Sequence, residues 1–278
     1  ERNRDHTNAL AAACRELGVT TLMTAPGGDP APWLAAGFDY YVENIVSPGL
    51  CLKFRSSVTD WNRFVTEWAK DRSPAAFVRD YSLSDPAWRA AARDAVRQTA
   101  ARHAPFAPRL YDLRDELSVT VSANPFDYDF APASLAAFRR WLQRRHPSLD
   151  ALNAAWLTAY PTWDAVTTFS TDEIKARMAG QTDAQGRKPD WAAVRATRFT
   201  PEAARREPGR WHLAPWCEFR SFMDDALAET LADLRDAARA ADPATPVGIE
   251  GTQMPSAWGG YDLWKLSRVL DWAEPYDI

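Results

Sequence analysis

Helical and strand-like patterns alternate along this chain, and this alternation constrains the fold more than any other feature. The helical segments carry apolar residues three and four positions apart, as Leu10, Cys14 and Leu17 do. Short runs rich in apolar and β-branched residues follow them. Such alternation favours a parallel sheet whose strands are joined by helices. The predicted strands are 19–23, 37–45, 110–117, 246–250 and 268–272.

Two helix starts are marked by capping residues. Asp85 followed by Pro86 gives an N-cap and a proline at the first helical position, and Ser148 is placed to cap a second helix. These signals agree with the apolar periodicity that follows each of them. The predicted helices are 8–17, 86–99, 132–146, 149–156, 215–241 and 261–267.

Five strands match the βα repeats of a (β/α)8 TIM barrel, which needs eight strands to close. Because the chain begins with a helix and stops at a strand-end segment, 271–277, we predict an incomplete α/β barrel. It would lack the first strand and the last two. Residues 1–278 would form one partial catalytic domain with rim insertions near 51–77 and 167–209. An open doubly wound sheet is the alternative, but it lacks support, since no GxGxxG or GxxxxGK(S/T) turn is present.

The charge balance disfavours several kinds of partner. The chain has 33 Lys and Arg against 37 Asp and Glu, so it has no basic stripe, and we predict no nucleic-acid partner and no polyanionic substrate. No apolar run approaches the roughly 18 residues that span a bilayer, so no membrane partner is predicted. The chain is expected to be soluble, with a cytoplasmic location slightly favoured over secretion. Its oligomeric state, including a homo-oligomer, stays open.

The cysteines and histidines give no metal pattern. Cys14, Cys51 and Cys217 are isolated, and no two of the four histidines are four residues apart. We therefore expect no metal and no other cofactor. The 13 tryptophans are more informative, because broad rings with a polar edge suit the C–H faces of sugars. Trp33 and Trp258 lie in predicted Pro/Gly loops and are the preferred sugar-binding candidates.

The stretch 110–117 is predicted to be a buried strand that ends on Asp115 and Glu116. In TIM barrels the reacting groups lie at the carboxyl ends of the strands, where the loops form the pocket. Most Asp-Glu pairs are solvated surface charge. Barrel topology would nevertheless bring these two acids together with polar residues that end other strands. Those residues are Glu43, Asn44, Glu250, Glu274 and Asp277.

Two carboxyl groups on different strands suit the cleavage of a glycosidic bond. One protonates the leaving oxygen, and the other stabilises or attacks the anomeric carbon. A metal-dependent hydrolase built from the same acids lacks a suitable histidine spacing.

A pattern after these acids supports the glycosidase hypothesis. It comprises Phe138-Arg139-Arg140-Trp141-Leu142, Arg145, Ser148-Leu149, Leu152-Asn153-Ala154-Ala155-Trp156, Thr158, Tyr160 and Trp163-Asp164. This segment resembles the one that follows the acid/base strand in glycoside hydrolase family 42 β-galactosidases. Segments 83–86, 246–250 and 271–277 are similar to that family in order and spacing.

The resemblance implies a retaining clan A barrel that cleaves β-linked, galactoside-like sugars with Glu116 as general acid/base. The family's nucleophile lies on the seventh strand, which this chain does not reach. Glu43, Asn44, Trp33, Glu250, Trp258 and Glu274 would then bind substrate. Asp115 stands where the family usually has Asn, so it would accept a sugar hydroxyl or raise the pKa of Glu116 by repulsion. A carbohydrate-binding barrel that has lost catalysis is the alternative function.

Overall fold

A computed structural model describes residues 2–46, 50, 78, 81–115, 117, 129–170, 173, 174, 176, 212–252 and 262–275. The helices in these ranges are α1 (Arg2–Glu16), α2 (Ala31–Ala35), α3 (Pro86–His103), α4 (Pro132–Gln143), α5 (Leu149–Trp156), α6 (Ala214–Ala241) and α7 (Leu263–Val269). The strands are β1 (Thr21–Thr24), β2 (Asp39–Val42), β3 (Tyr111–Asp112), β4 (Val247–Thr252) and β5 (Trp272–Pro275). Short 3₁₀ turns occupy Ala104–Phe106 and Trp163–Ala165.

The five strands form one parallel sheet in the order β1-β2-β3-β4-β5. Each strand therefore pairs with the next one along the chain, as in consecutive units of a (β/α)8 barrel. The order never reverses, whereas a doubly wound sheet reverses at its switch point. The predicted partial barrel is thus confirmed, and the doubly wound alternative is wrong.

Alternate strand residues build the main core on the outer face of the sheet. Tyr40, Val42, Tyr111, Leu113 and Ile249 are buried there against α3 and α6. Because side chains alternate between the two faces of a strand, the intervening residues face the opposite, inner side. The inner face consequently receives Tyr41, Asp112, Gly248 and Glu250.

A second core joins α4 and α5 to the first half of α6. The ring of Phe138 lies at its centre, with centroid separations of 5.1–6.1 Å from four other rings. These rings belong to Trp141, Trp156, Phe219 and Phe222. The apolar stripe predicted along 215–241 therefore packs against both cores.

The predicted helix starts are confirmed. The side chain of Asp85 accepts a hydrogen bond from Ala87 N at 2.9 Å, and Ser148 Oγ accepts one from Ala151 N at 3.1 Å. No helix in the described part of the chain is long and apolar enough to cross a bilayer.

Several predicted strand bounds are wrong. The strand predicted over 110–117 ends much earlier, because Asp112 Oδ1 accepts a hydrogen bond from Arg114 N at 3.1 Å and turns the chain away. The strand predicted over 268–272 begins at Trp272, because Asp262 caps α7 and the helix continues to Val269. The insertion at 51–77 and most of 167–209 lie outside the described residues.

Candidate active site

The carboxyl ends of the strands bring four acids together. Glu43 follows β2, Asp115 lies three residues after β3, Glu250 is in β4 and Glu274 is in β5. Burial raises the pKa of Glu250, and the negative charges of Glu274, Glu43 and Asp115 raise it further. Glu250 therefore lies close enough to acids from three other strands to be affected by the charge of each, as convergence on one rim requires.

Tyr41 faces these acids from β2. Its hydroxyl donates a hydrogen bond to the Glu250 carboxylate, and burial together with the charges of Glu250 and Glu43 raises the pKa of the phenol. The bond in turn opposes the rise in the pKa of Glu250. A pocket of about 330 Å³ adjoins the pair and is lined by Tyr41, Leu110, Glu250, Trp272 and Glu274.

Tyr41 and Trp272 were not among the sequence candidates. Tyr41 stands between two residues that face the core, so strand alternation could have placed its ring on the inner face. Trp272 was assigned to the end of a strand, whereas it begins one. Both rings line the pocket beside the acids, so both are candidates for contact with a sugar.

Asp112 is the other residue that the sequence analysis missed. It has no exposed surface, and its carboxylate accepts hydrogen bonds from the backbone N–H groups of Asn44, Arg114 and Glu250 at 2.9–3.1 Å. Burial raises its pKa to about 7, against the opposing effect of the Asn44 and Glu250 amides. The available signal was an acid between two apolar residues, Tyr111 and Leu113, in a predicted buried strand.

Asn44 links two strand ends. Its backbone has a positive φ of 59°, a conformation that Asn tolerates better than most residues. In this position its side-chain Oδ1 accepts a hydrogen bond from Asp115 N at 3.2 Å. Asn44 thus holds Asp115 in place, a contact that its assignment to substrate binding did not anticipate.

Trp33 lies in helix α2 rather than in the predicted rim loop. Its carbonyl oxygen accepts a hydrogen bond from Phe38 N, directly before β2, so its backbone adjoins the amino end of that strand. The preceding loop is held by a hydrogen bond of 3.1 Å between Pro26 O and His103 Nε2, at the end of α3. The predicted loop position is therefore wrong. Glu116 and Trp258 lie outside the described residues.

Within the described ranges, no group of three or more His, Cys, Asp or Glu side chains has the geometry to hold a metal ion. The described residues place carboxyl groups, a phenol and backbone amides at this rim.

The sequence model of glycoside hydrolase family 42, described as beta-galactosidase, matches residues 65–276. This chain belongs to glycoside hydrolase family 42. The resemblance seen in the sequence is thereby confirmed. The matched range includes Asp112, Asp115, Glu250 and Glu274.

Solved structures of family 42 share the fold. The β-galactosidase of Bacillus circulans sp. alkalophilus superposes with a TM-score of 0.58 at 13% identity, over 100% of this chain and 38% of its own. The β-galactosidase of the psychrophilic Marinomonas ef1 gives a TM-score of 0.56 at 15% identity, over 95% and 37%. A family 42 exo-carrageenase from Bacteroides ovatus gives 0.53 at 15%, over 92% and 32%.

This chain thus spans less than two fifths of the length of each of these structures. No curated protein sequence matches it significantly.

Proposed function

We propose that the protein is a retaining β-glycosidase that acts on galactoside-type linkages, with Glu116 as general acid/base. Asp115, Glu43, Asn44, Glu250 and Glu274 would form the sugar-binding rim around it. Trp33 and Trp258 remain candidate sugar contacts, although the helical position of Trp33 does not favour that role. The nucleophile is expected on a strand that residues 1–278 do not include.

One observation carries this proposal: Glu250 meets the charges of Glu43, Asp115 and Glu274, acids from three other strands, at the carboxyl edge of a family 42 sheet. A structural surface has no need to concentrate like charges, whereas glycoside cleavage needs carboxyl groups that differ in pKa. Glu116 directly follows Asp115, whose backbone N–H is fixed by Asn44. Asp115, the residue before Glu116 in the sequence, is therefore anchored at this rim, which supports the proposal.

The proposed reaction proceeds in two steps. Glu116 protonates the leaving oxygen while the nucleophilic carboxylate attacks the anomeric carbon, which gives a covalent glycosyl–enzyme and a free alcohol. Glu116 then removes a proton from water as the water attacks the same carbon and displaces the carboxylate. The concentration of acids at the rim favours neutral glycosides over anionic ones, because an anionic sugar would be repelled.

Replacement of Glu116 tests the proposal in the full-length protein. Against a panel of aryl and alkyl β-glycosides, we expect Glu116→Gln to lose about 10²–10⁴-fold in turnover of alkyl glycosides while the fold is retained. Glu229→Gln is the matched control, since Glu229 is an exposed acid on α6. Unchanged turnover in Glu116→Gln would remove the assignment.

The retaining mechanism has a separate test. In Glu116→Ala, added azide should restore turnover of an activated aryl glycoside by attacking the glycosyl–enzyme, and the glycosyl azide should keep the β-configuration. A product of inverted configuration would contradict the mechanism. Sugar binding by the wild-type protein without turnover of any glycoside would instead favour the binding-only barrel, which the acid at position 115 makes worth testing.

A further inference from the structure

The carboxylate of Asp112 is the meeting point of three strands. Its Oδ1 accepts hydrogen bonds from Glu250 N at 2.9 Å and Arg114 N at 3.1 Å, and its Oδ2 accepts one from Asn44 N at 3.1 Å. Asn44 follows β2, Arg114 follows β3 and Glu250 lies within β4. Asp112 has no exposed surface, so it cannot touch a substrate itself.

Each of these amides belongs to a site residue or adjoins one. Glu250 is one of the four rim acids, and Asn44 directly follows Glu43, another of them. Asn44 in turn holds Asp115, because its Oδ1 accepts a hydrogen bond from Asp115 N at 3.2 Å. Three rim acids are thus tied, directly or through one neighbour, to the same buried carboxylate.

A carboxylate suits this position better than other side chains of similar size. Three backbone N–H groups donate to the two carboxylate oxygens of Asp112, and each oxygen accepts at least one of these hydrogen bonds. An asparagine offers a single acceptor oxygen, so at least one of the three amides would face an N–H group instead. The rim acids repel one another, and buried hydrogen bonds of the backbone are what oppose their separation.

We propose that Asp112 is a positioning residue whose carboxylate fixes the ends of β2, β3 and β4, so that Glu43, Asp115 and Glu250 converge on the reacting sugar. This inference rests on the proposed function for its catalytic consequence. The three-strand link itself rests on the hydrogen bonds alone.

The first test is kinetic and uses Asp112→Asn in the full-length protein. If Asp112→Asn lets Glu43, Asp115 and Glu250 separate, kcat/KM should fall about tenfold or more for an alkyl β-galactoside. It should fall by a similar factor for a dinitrophenyl β-galactoside, because the two substrates share the sugar that these acids contact. A fall of about threefold or less for both substrates would overturn the positioning role.

The second test is independent of activity. Hydrogen exchange should become faster at residues 43–46 and 249–252 in Asp112→Asn than in the wild type. The matched control is Asp242→Asn, another buried aspartate, which accepts hydrogen bonds from Tyr111 Oη and Thr245 Oγ1 on the outer face. Exchange at these two segments that is no faster in Asp112→Asn than in Asp242→Asn would overturn the link.

A second variant covers the case in which Asp112→Asn does not fold. Asn44→Gly keeps the positive φ without strain and removes the side chain whose oxygen holds Asp115 N. Hydrogen exchange at Asp115 N should become faster in this variant, and unchanged exchange there would count against the link. If the wild type cleaves no glycoside, the proposed function fails, and hydrogen exchange alone decides the role of Asp112.

Discussion

The contact between Gly248 and Trp272 allows a quantitative prediction for Gly248→Ala. The two residues are partners in the β4–β5 register, and the indole lies directly over the glycine on the inner face. A Cβ at position 248 would fall within 3.0 Å of the Trp272 carbonyl oxygen and of two indole carbons, the farther of these at 2.6 Å. Carbon atoms pack best at about 3.5–4.0 Å, so the methyl group is about 1 Å too close.

Relief of this clash requires a movement of the backbone. The carbonyl oxygen belongs to the neighbouring strand and cannot rotate away as a side chain could, so β4 and β5 must separate. Overpacking of this kind costs about 1–3 kcal/mol, and the backbone contact places Gly248→Ala near the upper end. The stiffer unfolded chain returns about 0.4–1 kcal/mol, which leaves a net loss of roughly 2 kcal/mol in the free energy of unfolding.

Urea denaturation followed by tryptophan fluorescence measures this loss. Gly18→Ala is the control, because it also adds a methyl group at a glycine. A Cβ at position 18 would have no other atom within 4 Å, apart from its neighbours along the chain. Its positive φ of 76° should cost about 1–2 kcal/mol through backbone strain alone. Gly248→Ala should in addition shift the emission of Trp272, which Gly18→Ala should leave unchanged. A Gly248→Ala protein as stable as the wild type would refute the reasoning.

Three further predictions concern protonation and capping. The pKa of Asp112 is about 7 in the folded protein and about 3.9 in an unfolded chain. Between about pH 4 and pH 7 the folded protein therefore keeps a proton on Asp112 that the unfolded chain has lost. The free energy of unfolding should therefore fall as the pH rises from about 4 to 7, and Asp112→Asn should remove that slope in urea titrations. Since the raised pKa of Glu250 makes its charge unfavourable in the folded state, Glu250→Gln should stabilise the protein at pH 8 and have no such effect at pH 4; equal effects would contradict this. Asp85→Ala, which leaves Ala87 N without its cap, should cost about 1 kcal/mol in thermal or urea unfolding, and no loss would refute the capping role.

The helices and the order of the strands could be predicted because their signals are local. Asp85 and Ser148 cap helices through hydrogen bonds within three residues, and periodicity marks the buried stripe of α6. The ends of the strands were harder to predict because they depend on partners far away in sequence. β3 stops where Asp112 captures Arg114 N, and the same carboxylate also binds amides 68 and 138 residues away.

The pattern that carried the family resemblance is largely a packing pattern. Phe138, Trp141 and Trp156 lie in the second core. Asn153 holds the loop after α5, with its Oδ1 accepting from Thr158 Oγ1 and Tyr160 N at 2.9 and 2.8 Å. The segment therefore carries the resemblance through residues that pack α4 and α5, and it could not have indicated Tyr41, Asp112 or Trp272 as site residues.

Strand alternation explains why the rim acids could be predicted from the sequence and Asp112 could not. An acid after the last buried residue of a strand, such as Glu43, is readily noticed as a rim group. An acid within the strand, such as Asp112, only interrupts an apolar run, and the pattern does not mark it as a functional residue. On the inner face of a barrel the same position lies under the rim, where a buried carboxylate can accept the amides of neighbouring strand ends. The hydrogen bonds from these uncharged amides oppose the repulsion that the neighbouring acids exert on Glu250.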